Sequence, residues 1–189
     1  MHENVLEAIH ARRSTGRVSS EPVERELIED LLEAAVAAPN HKETKPWRFV
    51  VLAGEARSAV GEAHARAVTR IRGSLTPEGR AKEAALLERA PVVIACCLVP
   101  GEDPVRARED RDAVAAAIQN LLLAAHARGL GAIWRTGTMA DEPEVREELG
   151  LGERDAIVGL VYLGHPLTDP GPPPEPRQGA TAVTRWRGW

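Results

Sequence analysis

The 189-residue chain has only two cysteines, Cys96 and Cys97, and they are adjacent inside an apolar run. Neighbouring strand residues point to opposite faces, so the pair offers neither a disulfide framework nor metal-ligand spacing. Both read as small buried hydrophobes, and their usage fits the cytoplasm. Aromatic residues make up 3% of the chain, and 54–90 contains none with which to stack on a substrate. No apolar run approaches the ~20 residues that span a bilayer. Met1–His10 carries charge where a signal peptide has its apolar core. Charge of one sign is also missing. The net charge of -4 gives no global basic field to draw in nucleic acid, so an anionic ligand needs a local basic site. There is no G-x-S-x-G elbow and no Walker A lysine motif. His2, His10, His64 and His126 lack a carboxylate or Cys partner at metal-ligand spacing and read as structural or solvated, so no metal is expected. What remains is a chain 43% hydrophobic and 28% charged, the size of one compact domain over 1–189.

Apolar spacing predicts helices over Glu3–Arg13 (Val5, Leu6, Ile9) and from about Pro22 to Ala37, the second ended by Pro39. A polar loop, Pro39–Pro46, leads into a strand at Arg48–Leu52. Two Ala- and Arg-rich helices, about 55–72 and 77–90, read as a mobile excursion, with charge runs at 66–89 and 106–112 forming solvated helix faces. Val92–Val99 is a strand buried on both faces. Asp112–Arg128 is a long helix with an apolar surface broad enough for a central position or a dimer interface. A short strand at Gly131–Arg135, a helix at Pro143–Leu149 and a strand at Ala156–Leu163 follow. Residues 167–189 form an extended arm, proline-rich at Pro170–Pro176. Trp186 and Trp189 near its end want something to pack on, such as a partner subunit. The fold class is α+β (mixed α/β), with one sheet flanked by helices.

Three segments could carry chemistry. Arg12-Arg13-Ser14 combines two guanidiniums and a hydroxyl, a set suited to one phosphate. Taken alone, the segment reads more readily as arginines drawn to a helix C-terminus by its dipole. The 39–46 loop places His41, Lys42, Lys45 and Asn40 between two buried elements, as functional loops often do, although ordinary exposed loops have the same composition. Gly129–Gly137 brackets a short strand with glycines that let a flat group approach the backbone closely. The other reading is helix-stop glycines and one core tryptophan.

Order and spacing join these segments. Arg12-Arg13-Ser14, Ala38-Pro39-Asn40-His41, Lys45-Pro46-Trp47-Arg48-Phe49, Gly129-Leu130-Gly131, Trp134-Arg135-Thr136-Gly137 and Tyr162-Leu163-Gly164-His165-Pro166 together resemble the nitroreductase family, in its compact YdjA-like branch, over residues 3–166. The resemblance implies a nitroreductase-like fold with a central mixed sheet of four to five strands. It also implies tightly bound FMN, a homodimer whose two cofactor sites draw on both chains, and a C-terminal arm that wraps the partner. Arg12, Arg13 and Ser14 match the segment on the phosphate and ribityl side. His41 matches a residue given by the other subunit. Trp134, Arg135 and Thr136, with Gly137 after them, match the backbone beside the isoalloxazine ring. The implied chemistry is NADH or NADPH reducing FMN, then a nitroaromatic, quinone or other small acceptor reoxidising it, in ping-pong order. The flavin carries the reaction, and no protein acid or base need be catalytic. A cation beside the ring would stabilise charge on it, with Arg13, His41 and Lys42 as candidates.

The chain also departs from the pattern. Ala37 stands where this branch often has an arginine, and Lys45 stands where an amide usually precedes the Pro-Trp pair. Arg185 and Arg187 have no counterpart in the pattern and could reach the partner's phosphate. Two other functions fit the same motifs. One is a flavin-binding sensor or store without turnover. The other is a same-fold reductive dehalogenase, whose lid only 54–90 is long enough to supply.

Overall fold

The computed structural model describes residues 5–137, 142–167 and 177–188. Its elements are α1 (Val5–Ala11), α2 (Arg25–Val36), β1 (Trp47–Ala53), α3 (Glu55–Arg72), α4 (Pro77–Ala84), β2 (Val92–Leu98), α5 (Pro104–Ala127), β3 (Gly131–Arg135), α6 (Pro143–Glu148) and β4 (Ala156–Gly164). The α+β reading holds. The sheet runs β1-β2-β4-β3, and each of the three strand pairs is antiparallel, where a mixed sheet was expected. The expected Pro170–Pro176 segment and Trp189 lie outside the described residues.

Strands β2 and β4 are buried along nearly their whole length because helices cover both faces. One layer packs Ile28, Leu31 and Ala35 of α2 and Val114, Ile118 and Leu121 of α5 against Ile94, Val161 and Leu163. The other packs Val60 and Ala63 of α3, Leu87, and Val145 of α6 against Val93, Leu160 and Tyr162. Helix α3 and Leu87 are therefore packed into the core, whereas α4 carries no buried residue. For α3 the mobile-excursion reading is corrected, because alanine does the packing. Gly61 lies so close to the end of α4 that an added Cβ would sit 1.9 Å from the Ala84 carbonyl oxygen, and small residues of this kind leave no strong apolar stripe in the sequence.

Two further expectations are corrected. Helix α5 begins at Pro104, capped by the Asp103 carboxylate on the Val105 N–H (2.9 Å), and not at Asp112. The charged first two turns hid its start. The charge runs also pair between elements and not only along single helices. Arg70 of α3 reaches Glu142 and Glu144 at the start of α6, Arg80 of α4 reaches Glu62 of α3, and Asp110 within the second run is 1% exposed.

Candidate functional site

The structure brings the first and third segments together at the β3 edge. The Thr15 N–H donates to the Ala132 carbonyl at 2.9 Å, so the chain leaving α1 runs alongside β3. Gly131 makes this approach possible, since an added Cβ would meet Val18 at 2.9 Å and Thr15 at 3.0 Å. Val18 then bridges Pro166 just beyond β4. Arg12, Arg13 and Ser14 are thereby tied to the same edge as Trp134, Arg135, Thr136 and Gly137.

The two arginines behave differently. Arg13 turns back on its own helix and donates to the carbonyls of His10 (2.6 Å), Ala11 (3.1 Å) and Arg12 (3.0 Å). The helix-end reading holds for that side chain in this conformation. Arg12 is half-buried, and its Nε is enclosed without a hydrogen-bond partner. Burial first, then the nearby cations Arg177 and Arg13, push its pKa below the ordinary guanidinium value. Sequence reasoning missed Arg177. It follows the proline-rich segment and donates to the carbonyls of Ile9 (2.8 Å), His10 (3.3 Å) and Arg12 (2.5 Å). Three like charges held together repel one another, and an anion among them would remove that cost.

Beside this cluster the backbone of 134–137 leaves β3. The Trp134 indole sets its Nε1 edge against Gly159 of β4, where an added Cβ would stand 1.8 Å from Nε1. A bulge on β4 makes the seat: Cys96 pairs with Gly159 and Cys97 with Ile157, leaving Val158 as the extra residue. The tryptophan side chain thus serves the core, and any ligand contact from this stretch falls to backbone and to Arg135 and Thr136. Arg135 lies over the Tyr162 ring, 5.5 Å from its centroid. A cavity of about 240 Å³ opens under Arg135, Thr136 and Gly137 and runs to Leu86, Glu83 and His64. His64 does have a carboxylate partner, Glu83 at 3.1 Å, but one supplied by α4 and so invisible in local spacing. Burial pushes the Tyr162 phenol above its ordinary value.

The second segment lies elsewhere. Loop 39–46 precedes β1, at the opposite edge of the sheet, three strand spacings or about 14 Å across from β3. Within one chain, His41 and Lys42 are not brought to Arg12 or Thr136. The loop is bent sharply: Lys42, Glu43 and Lys45 all have positive φ (58°, 51° and 49°), a conformation that costs a non-glycine residue about 1–2 kcal/mol. His41 borders an open groove with Pro39, Asn40 and, on α5, Glu109, Asp112 and Ala116. Ala37, at the end of α2, is exposed and has no side chain to replace an arginine. Lys45 is fixed through its backbone N–H, which donates to the Asn40 side chain at 2.7 Å. Arg185 and Arg187 are exposed on the arm.

Set against known proteins, residues 9–165 match the model of the Nitroreductase family. The chain belongs to the nitroreductase family. It is 35% identical over 167 residues to YdjA of Escherichia coli K12, covering 86% of this chain and 88% of that protein, whose name gives it a provisional NAD(P)H nitroreductase activity. YfhC of Bacillus subtilis 168, named in the same way, is 30% identical over 166 residues, covering 87% and 86%. A nitroreductase-like protein from Bacillus cereus superposes with a TM-score of 0.86 at 28% identity, over 100% of this chain and 98% of that one. A nitroreductase of Bacteroides fragilis solved with bound FMN superposes with a TM-score of 0.77 at 25% identity, over 98% and 100%.

Proposed function

We propose that the protein is a single-domain, FMN-dependent NAD(P)H oxidoreductase, acting as a homodimer with each cofactor site built from both chains. The observation that carries this is the β3 edge. Arg12, Arg13 and Arg177 converge there, with Arg12 Nε enclosed and unpartnered, beside an open stretch of backbone at Thr136–Gly137. Arg12, Arg177 and Ser14 would hold the phosphate, with Arg13 joining if it releases its helix end. The backbone of Trp134–Gly137 would line one face of the ring. When bound, FMN supplies a hydride acceptor and donor between the nicotinamide and a small electron acceptor.

Two observations support the two-chain site. His41 and Lys42 stand across the sheet from the arginines, so a partner's loop has to supply them to the same cofactor. The single chain also leaves Val5 (68%), Leu6 (63%), Val183 (71%) and Trp186 (70%) exposed, apolar surface that a second copy would cover. The lid that the dehalogenase reading needs loses α3, which is packed into the second layer through Val60 and Ala63. Among the described residues no helix is long and apolar enough to cross a membrane. Two free, buried cysteines fit our placing the protein in the cytoplasm.

The test is an absorbance spectrum of FMN-loaded protein, 300–550 nm, before and after anaerobic NADH or NADPH. Bleaching of the flavin bands is expected. Bands that survive both reductants would move the reading to a sensor or store, and failure to take up FMN would end it.

A further inference from the structure

Asp110 is the most buried charged residue described, 1% exposed, and it lies on α5 away from the arginine cluster. Each of its carboxylate oxygens accepts a hydrogen bond. Oδ1 accepts from the Thr44 hydroxyl, and Oδ2 accepts from the Gly101 N–H at 3.1 Å. Thr44 Oγ1 in turn accepts from Asn40 Nδ2 at 2.9 Å, and Asn40 Oδ1 accepts from the Lys45 N–H at 2.7 Å. A chain of hydrogen bonds therefore runs from a rigid helix through Thr44 to both ends of the turn that holds His41 and Lys42. The three positive-φ residues of that turn would relax to commoner conformations without such a restraint. Nothing about core packing requires a carboxylate at this place; its contacts go to two loops.

We infer that Asp110 is a positioning residue: through Thr44 and Asn40 it holds the 39–46 turn in the strained shape that presents His41 and Lys42 to the partner's cofactor. Its desolvation is compensated by the two donors, and the network spends binding capacity on shape, so that the loop need not be ordered when the cofactor arrives. The inference rests on the proposed two-chain FMN site.

The direct variant, Asp110→Ala, removes a buried charge and could unfold the N-terminal half of α5. Thr44→Val is the cleaner test, because Thr44 is at the surface and the swap keeps its shape while removing the hydroxyl. Two readouts apply. The first is the His41 ring signals and the amide exchange of residues 40–45 in the FMN-free protein. The second is the FMN dissociation constant, measured in homodimers and in mixed dimers that carry Arg12→Ala on one chain. Expected are shifted His41 signals, faster loop exchange and an FMN affinity lower by about tenfold. Thr44→Ser should restore all three. In mixed dimers, Thr44→Val on the chain with intact Arg12 should spare that chain's own site and weaken the Arg12→Ala chain's site further. Unchanged His41 signals in Thr44→Val would overturn the inference alone. So would a loss confined to the variant chain's own site, or FMN affinity within twofold of wild type. Failure of the wild-type protein to take up FMN would instead remove the two-chain site on which it rests.

Discussion

The two edges of the sheet solve opposite problems. At the β3 edge, three cations are crowded together and Arg12 keeps an enclosed donor unused. At the β1 edge, the polar side chains Asn40, Thr44 and Asp110 are bonded to one another, and the cost appears as backbone strain at Lys42, Glu43 and Lys45. The first edge is unsatisfied chemistry awaiting an anion, whereas the second is satisfied chemistry holding a shape. A site assembled from both needs the charge from one chain and the geometry from the other. Ligand binding should then depend steeply on charge at the first edge, and fold stability should be insensitive to it.

The largest effect that separates the edges is on FMN affinity. Arg12→Ala should weaken FMN binding by about tenfold to more than 100-fold, the range for losing a charge-assisted bond of ~1.5–3 kcal/mol. The melting temperature of the FMN-free protein should hold or rise, because repulsion with Arg13 and Arg177 is relieved. A fall in that temperature would mean the arginine is structural. Next comes Gly159→Ala, which forces the Trp134 indole off β4. Overpacking of this kind costs ~1–3 kcal/mol, or about 2–4 °C per kcal/mol in a protein of this size. An unchanged melt would show that the indole is not seated as described. Arg177→Ala should weaken FMN several-fold, less than Arg12→Ala, because its guanidinium already donates to three carbonyls. Arg187→Ala, exposed on the arm, is the comparison, and a larger effect there would move the phosphate contact outward. The smallest effect is at the cysteines. Burial pushes the Cys97 thiol up to about 12, with Asp155 adding to it, so at pH 8 the thiol stays protonated. Labelling by a thiol reagent should appear only on unfolding, and rapid labelling of the native protein would contradict the burial of β2.

The sequence made the large-residue layer legible. Ile28, Leu31, Val114, Ile118 and Leu121 carry helical spacing that local physics reads directly. The alanine-packed layer of α3 was not legible, because its packing depends on Gly61 and Ala84 meeting across two helices. The candidate site divided in the same way. Arg12, Ser14 and the Trp134–Gly137 stretch announced themselves by residue type in a run. Arg177, His64, Glu83 and Asp110 matter through partners 19 to 168 residues away in the chain, and charge runs on helices give no sign of which member turns inward. The antiparallel sheet could not be read either, since strand direction depends on where α3, α4 and α5 return the chain.

The most direct test of the two-chain site uses mixed dimers of Arg12→Ala and His41→Ala chains. They are held at an FMN concentration that fills wild-type sites but neither homodimeric variant, and bound flavin is counted after rapid gel filtration. In a mixed dimer one site carries both lesions and the other carries none, so the account predicts one FMN per mixed dimer. No retained FMN in the mixed dimers, as in the parent variants, would show that Arg12 and His41 serve the same chain's site, and would contradict it.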